Sequence, residues 1–362
     1  MPTALVTGFP GFLGHALVPR LLDQDPERTV VCLVQPHWAA AAREAVAGIL
    51  KDRPGAAGRL RLLEGDITRP AAGLADPAGL RRDLVEIYHL AAVYDLEVPA
   101  DMAERVNVDG TRHLLELAEA APGLRRVHHV STCYVSGRFE GRFRESDLDR
   151  GQTFKNHYEA TKYRAEVVVR DAMARGVPCT IYRPAAVVGD STDGATRKLD
   201  GAYMFVRLVV RQRGVAFVPV SGDVDRLTVN IVPRDFVVDA LAALAARDDS
   251  SGRTYHLADP SPDSVGGMLR DVGRAAGRRV VRVPLPLWLA RGATRWVPGV
   301  RALTGIPPEA VDYYDHRATY DVTGTLRDLQ GSGIRCPPFA SYVHHLVRFV
   351  RDHPDMGSGA MV

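Results

Sequence analysis

Along the first half of the chain, short apolar, β-rich runs alternate with longer stretches in which apolar residues recur every three or four positions. The runs "TALVTG" (3–8), "TVVCLV" (29–34), "RLRLLEGDI" (59–67, with an exit turn), "EIYHLAA" (86–92), "RVHHVST" (126–132) and "PCTIYRP" (178–184) predict strands. "GHALVPRLLD" (14–23), "ERVNVDGTRHLLELAEAA" (104–121) and the stretch containing "NHYEATKYRAE" (156–166) predict helices. Continuous, mainly apolar strands need cover on both faces, and intervening helices supply it. The order therefore predicts an α/β fold built on a doubly wound parallel sheet. After Pro184 the pattern loosens. "GDSTDGATRKLDG" (189–201) reads as a polar loop, 202–213 as a helix, and "LTVNIVPRDFVVDALAALAA" (227–246) as a strand and helix returning to the main sheet. Residues 263–350, with a helix in "DSVGGMLRDVGRAAG", are expected to form a smaller lobe over the cleft, and the tail "DHPDMGSGAMV" to fray.

Composition narrows the classes. At 362 residues the chain has room for two lobes or one enlarged α/β domain. Net charge is +3, and the Arg-Arg pairs at 81–82, 125–126 and 278–279 are scattered without interleaved aromatics, so no nucleic-acid surface is expected. Cys32, Cys133, Cys179 and Cys336 are far apart with no CxxC pair, which argues against a disulfide framework or a zinc site. "GDSTDG" fails as a calcium loop from Asp190 and Asp193, since Ala195 stands at its sixth position and Gly201 at its twelfth. No metal is expected. The start "MPTALVTGF" has no charged region before an apolar core, and no apolar run reaches 18 residues, so the reading is cytoplasmic with no membrane span. Monomer and homodimer are both left open.

Two local patterns carry chemistry. "TGFPGFLG" sets Gly8, Gly11 and Gly14 between the first strand and first helix, where small residues allow a tight turn, close backbone approach to a pyrophosphate and a helix N-terminus facing it. The expectation is a dinucleotide-binding Rossmann domain over 1–190, joined by 227–262, with 191–362 mainly a substrate-binding lobe. Further on, Tyr158 and Lys162 are four apart on one helix face. The chain has only four lysines (Lys51, Lys155, Lys162, Lys198), so cationic surface here is normally arginine, and a lysine at this place calls for a reason. A nearby ammonium is expected to lower the phenol's pKa and make Tyr158 a proton donor.

The GxxGxxG spacing, Asp66 in "GDIT", "HLAA" (89–92), "NVDGT" (107–111) and "YRP" (182–184), in this chain order, resemble the extended short-chain dehydrogenase/reductase superfamily. The resemblance implies that Tyr158 is the proton donor, that Lys162 holds the nicotinamide ribose, and that Thr132 in "VSTCYVSG" completes the set. Ser131 is the alternative, as a brace for the strand, and Tyr134 reads as a pocket wall. It also implies cofactor contacts from Gly8, Phe9, Pro10, Gly11, Phe12, Leu13, Gln35, Asp66, Ile67, Leu90, Ala91, Ala92, Asn107, Tyr158, Lys162, Arg183, Pro184 and Val187. "HVSTCYVSG", "GQTFKNHYEATKYRAE" and "YRPAAVVGDSTDGATRKLDG" are similar to the branch of fatty acyl-CoA reductases and terminal thioester reductase domains. That implies an NAD(P)H-dependent reductase of an acyl thioester, presented as acyl-CoA or on a carrier protein. A reductase of free aldehydes or ketones, a nucleotide-sugar epimerase or dehydratase, and a dinucleotide-sensing regulator are the alternatives. The second strand ends in Val34 and Gln35, with neither the Arg usual for NADPH in this branch nor an NAD-selecting carboxylate. NADPH is expected, with Arg43 or His37 at its phosphate and NADH still possible. Arg197, Lys198, Arg207, Arg211 and Arg213 read either as contacts to pantetheine phosphates or as a solvated face.

Overall fold

The computed structural model of the chain describes residues 1–94, 98–199, 201–286, 289 and 316–357. Along the chain the strands are β1 (Thr3–Thr7), β2 (Thr29–Val34), β3 (Leu60–Glu64), β4 (Leu84–His89), β5 (Arg126–Val130), β6 (Gly141–Phe143), β7 (Cys179–Pro184), β8 (Ala186–Val188), β9 (Val215–Val220), β10 (Ile231–Pro233), β11 (Thr254–Leu257), β12 (Arg279–Pro284) and β13 (Ala318–Tyr320). The helices are α1 (Phe12–Gln24), α2 (Ala39–Asp52), α3 (Pro77–Asp83), α4 (Ala100–Glu104), α5 (Gly110–Glu119), α6 (His157–Ala174), α7 (Ala202–Arg211), α8 (Arg234–Ala245), α9 (Val265–Ala276), α10 (Thr323–Asp328) and α11 (Phe339–Asp352).

Seven strands form one parallel sheet in the order β3-β2-β1-β4-β5-β7-β11. Successive residues of a strand point to opposite faces, and here both faces are dry. Ala4 and Val6 of β1 and Val30, Cys32 and Val34 of β2 join α1 and α8 in one core. Leu5, Val31 and Leu33 join α5 and α6 in the other. The order reverses between β1 and β4, and in such sheets the crevice at the carboxyl ends beside that reversal is where ligands are held.

The helix expected over 104–121 is composite: α4 and α5 meet through a π turn over Arg105–Asp109. The extra residue in that turn accompanies Asn107 facing inward, where its amide meets Val93 and Thr161. The return to the sheet also falls later than expected. β10 pairs with β8 outside the main sheet, and β11 takes the remaining edge of β7.

A second core gathers Tyr203, Val206 and Val209 of α7, Ala216 and Val218 of β9, Met268, Leu269 and Val272 of α9, and Tyr342, Val343 and Leu346 of α11. Within 263–350, expected to form one small lobe, α9 and α11 pack in this second core. β13 and α10 instead go back to the first half. Val322 and Leu329 enter the first core, and β13 pairs with β6. α10 laces the edge of the sheet: Asp328 accepts from Tyr255 Oη and Arg253 Nη1, each at 2.8 Å, and Glu145 accepts from Gly324 N at 2.8 Å and Thr325 Oγ1 at 2.7 Å. The stretch 287–315, Leu289 apart, and the last part of the tail (358–362) lie outside the described residues. Among the described residues, no helix is long and apolar enough to cross a membrane.

Candidate active site

β1 ends at Thr7 and the chain enters α1 through Gly8-Phe9-Pro10-Gly11. Gly8 has φ +82°, and a Cβ there would lie 2.8 Å from Ala91 N and from the Leu90 carbonyl carbon. The exits of β1 and β4 thus meet backbone against backbone, which only glycine permits. A Cβ on Gly11 or Gly14 would stand 2.6 Å from Gly8 O. Gly11 caps α1 without a side chain, and the first turn holds no acidic residue. The leading amides of the helix are therefore left for an anion, and the cradle fits a dinucleotide pyrophosphate.

The cradle opens into a cavity of about 1650 Å³. Gly8, Phe9, Pro10, Gly11, Phe12, Leu13, Gln35, Asp66, Ile67, Leu90, Ala91, Ala92, Thr132, Tyr158, Lys162, Pro184 and Val187 all line it. Asp66 Oδ1 accepts from Thr68 N at 2.9 Å and Thr68 Oγ1 at 2.8 Å. Burial pushes its carboxyl up, hydrogen bonds from Thr68 and Gln35 pull it down, and the balance lies below the usual value. Asn107 and Arg183 are not on the wall. Asn107 is buried behind it, accepting from Val93 N at 2.8 Å and donating to Val93 O and Thr161 Oγ1 at 2.9 Å.

Arg183 is fully buried and grips Glu166, with Nε 3.0 Å from Oε2 and Nη2 2.5 Å from Oε1. Its Nη1 lies 3.0 Å from His256 Nε2. This pair ties α6 to β7, and Glu166 Oε2 also accepts from Ser131 Oγ at 2.8 Å. The hydroxyl of Ser131 is thereby committed to the interior. Thr132 instead faces the cavity, hydrogen-bonded to Tyr158 and accepting from Tyr134 N at 3.2 Å. Asn156, two residues before Tyr158, caps α6 by accepting from Glu159 N at 3.0 Å.

The electrostatics differ from the expectation drawn from the Tyr-Lys spacing. Burial pushes Tyr158 up to about 12, and the Thr132 hydrogen bond only partly opposes it. The Lys162 ammonium is turned onto Val130 O at 2.7 Å, and burial lowers it to about 8 despite the attraction of Glu166. At Lys162 desolvation outweighs the opposing charge of Glu166, whereas at Tyr158 desolvation and the negative charge of Glu159 act in the same direction.

Several wall residues carry no motif. The second lobe contributes Met204, Phe205, Leu227, Val229, Val265 and Met268, and the returning C-terminal segment contributes His316 and Tyr320. Arg197 and Lys198 also line the cavity, whereas Arg207 and Arg211 of α7 do not. Arg197 Nη1 donates to Pro10 O at 2.5 Å, and Lys198 Nζ sits 3.8 Å from the centre of the Tyr94 ring. Apolar periodicity placed α7 and α9, but nothing in one sequence tells which of their faces meets a cavity rather than a core. Among the described residues, no group of three or more His, Cys, Asp or Glu could hold a metal ion.

A model of the NAD-binding family described as "Male sterility protein" matches residues 6–241. The chain is 25% identical over 357 residues to the nonribosomal peptide synthetase asaC of Aspergillus flavus, covering 91% of this chain and 34% of the synthetase. It is 25% identical over 278 residues to the fatty acyl-CoA reductase wat of Drosophila melanogaster, covering 66% of this chain and 53% of that one. The crystal structure of the terminal R domain from the myxalamid PKS-NRPS biosynthetic pathway superposes with a TM-score of 0.81 at 27% identity, over 99% of this chain and 93% of that one.

Proposed function

The chain belongs to the NAD-binding family described as Male sterility protein, and from that premise we propose that it is an NAD(P)H-dependent reductase of an acyl thioester, carried by coenzyme A or a carrier protein. The observation that supports this most is the continuity of the cavity. The glycine cradle, the Thr132 and Tyr158 hydroxyls and the apolar wall of Met204, Phe205, Val265 and Met268 enclose one space. A dinucleotide at the cradle and an acyl chain along that wall bring their reacting ends to the same two hydroxyls. On this reading, 1–190 with 227–262 hold the cofactor, and 191–362 mainly shape the acyl site.

The reduced nicotinamide supplies the hydride. Tyr158 and Thr132 donate hydrogen bonds to the carbonyl oxygen as negative charge develops there, and Tyr158 gives up its proton. Lys162 would hold the ribose. With a thioester, the reduced carbon then carries hydroxyl and sulfur. Expulsion of the thiol, with the hydroxyl proton passing to sulfur, leaves an aldehyde.

NADPH is the proposed cofactor. β2 ends in Val34 and Gln35, so no carboxylate repels a 2′-phosphate, and Gln35 is engaged with Asp66. His37 lines the adjoining wall, whereas Arg43 is exposed on α2 and off the wall, which shifts the phosphate contact to His37.

The test follows NADPH oxidation and thiol release together, with medium and long acyl-CoAs and with free aldehydes. Free coenzyme A should appear in step with oxidised cofactor. If aldehydes are reduced briskly while no acyl-CoA or acyl-carrier protein yields thiol, the substrate is a free carbonyl compound.

A further inference from the structure

Lys155 stands three residues before Tyr158, with only 1% of its side chain exposed. Its Nζ lies 2.8 Å from Gly137 O, 3.5 Å from Glu159 Oε1 and 2.9 Å from His316 Nδ1. Glu159 also accepts from the Lys155 backbone N at 2.9 Å, which anchors the lysine at the start of α6. An ammonium has only hydrogens to give, so His316 Nδ1 must accept, and the ring hydrogen of the neutral imidazole sits on Nε2. Burial keeps the ring neutral by lowering its pKa to about 3.

Nε2 is 2.6 Å from Tyr320 Oη. The phenol oxygen is therefore an acceptor in that bond, and its own hydrogen points elsewhere. Among the described residues, its other side-chain partner is Ser136 Oγ at 3.4 Å, beyond the usual range for O–H···O. Tyr320 lines the cavity together with Thr132, Tyr134 and Tyr158, and the Tyr134 ring meets His316 edge-on at 5.3 Å. The chain of donors thus has one sense, from ammonium to imidazole to phenol to cavity. The reverse sense would set two hydrogens against each other at Nδ1.

We propose that the Tyr320 hydroxyl is a third hydrogen-bond donor to the carbonyl substrate, and that His316 and Lys155 are positioning residues that fix its direction. This rests on reading the cavity as a reductase site. It assigns work to a rare buried lysine that the Thr132, Tyr158 and Lys162 set leaves unused, and to a segment whose His316 lies 161 residues later.

The test compares Tyr320→Phe, His316→Leu, His316→Gln and the Tyr320→Phe/His316→Leu double variant of the full chain, on the best substrate of the wild type. Tyr320→Phe removes one hydroxyl and should lower kcat/KM about tenfold, the scale of one lost hydrogen bond. NADPH affinity should stay within about twofold and the melting temperature within a few degrees. His316→Leu should fall by a similar factor, and the double variant no further than the worse single one, because the residues act as one unit. His316→Gln keeps an acceptor and a donor and should recover most of the loss. Full activity in Tyr320→Phe, or additive losses in the double variant, would overturn the proposal. A wild type that reduces aldehydes but no thioester sinks the thioester reading alone, since the same comparison on the aldehyde still decides the role of Tyr320. A wild type that reduces no carbonyl compound overturns both.

Discussion

The two walls of the cavity are built from different materials. On the sheet side the contacts come from backbone and from buried, fully paired polar groups: the Gly8 approach to Leu90 and Ala91, Ser131 on Glu166, Glu166 on Arg183. Neither Glu166 nor Arg183 can shift without breaking several hydrogen bonds at once. On the second-lobe side the wall is Met204, Phe205, Leu227, Val265 and Met268. Methionine is unbranched and adaptable, so that wall can change shape at little cost. On the proposed function the contrast separates two tasks: the chemistry needs fixed positions, whereas selection of an acyl group tolerates a compliant surface.

The largest expected effect lies on the rigid side. Tyr158→Phe should cut kcat/KM by roughly a thousandfold, in the range for loss of a general acid, with NADPH affinity within a few-fold. Steady-state kinetics and a cofactor titration check it, and a variant with most of the wild-type kcat would remove Tyr158 from its role. Next, Glu166→Gln leaves the Arg183 guanidinium buried without a charged partner and should cost about 3 kcal/mol, measured by denaturant unfolding. No change there would mean that the sheet side is less rigid than its hydrogen bonds imply.

A third prediction concerns pH. Burial lowers Lys162 to about 8, so its charge is complete below that value and lost as pH rises through it. On the basic side kcat/KM should therefore fall, approaching about tenfold per pH unit, while Tyr158, pushed up to about 12, contributes no limb in that range. A profile flat to pH 10 contradicts this. On the compliant side, Met204→Ala should shift the preference between short and long acyl groups by about tenfold, the scale of a few methylenes in an apolar pocket, and leave cofactor affinity unchanged. An equal loss with every substrate would show that this wall is as fixed as the other. The smallest effect is expected for His37→Ala, which should narrow the NADPH over NADH preference by about threefold, roughly one weak charged contact.

The rigid side was also the more legible one. Apolar runs fix β1 and β2, since a strand buried on both faces favours apolar residues, whereas β5 (RVHHV) and β7 (CTIYRP) also bury Arg126, His128, His129 and Arg183. The glycine loop is legible because its backbone excludes other residues. Asn107 and Arg183 could be singled out, but not their place behind the wall, which depends on Val93 and Glu166 coming from distant parts of the chain. The direction of the Tyr158 shift was misread because spacing reports a neighbouring charge and not desolvation. β11 reads "TYHL" and holds His256, whose ring is used by Arg183 and by Asp321 O at 2.7 Å, so its apolar run is too short to stand out. Lys155 shared with Lys162 the rarity that made the latter conspicuous, yet its partner His316 lies 161 residues away.

The lacing of β11 by α10 bears on how the chain comes off the ribosome. β1 to β5 are complete by residue 130, but the segment that supplies Asp328 to Tyr255 and Arg253, and Val322 and Leu329 to the first core, follows only from residue 322 onward. Until then the nascent chain carries an unsealed edge strand and an uncovered apolar patch. Contacts of such sequence separation form slowly, and an open edge is where partly folded chains pair with one another. The same late segment that completes the wall of the cavity thus also sets the interval during which this protein is most prone to aggregate.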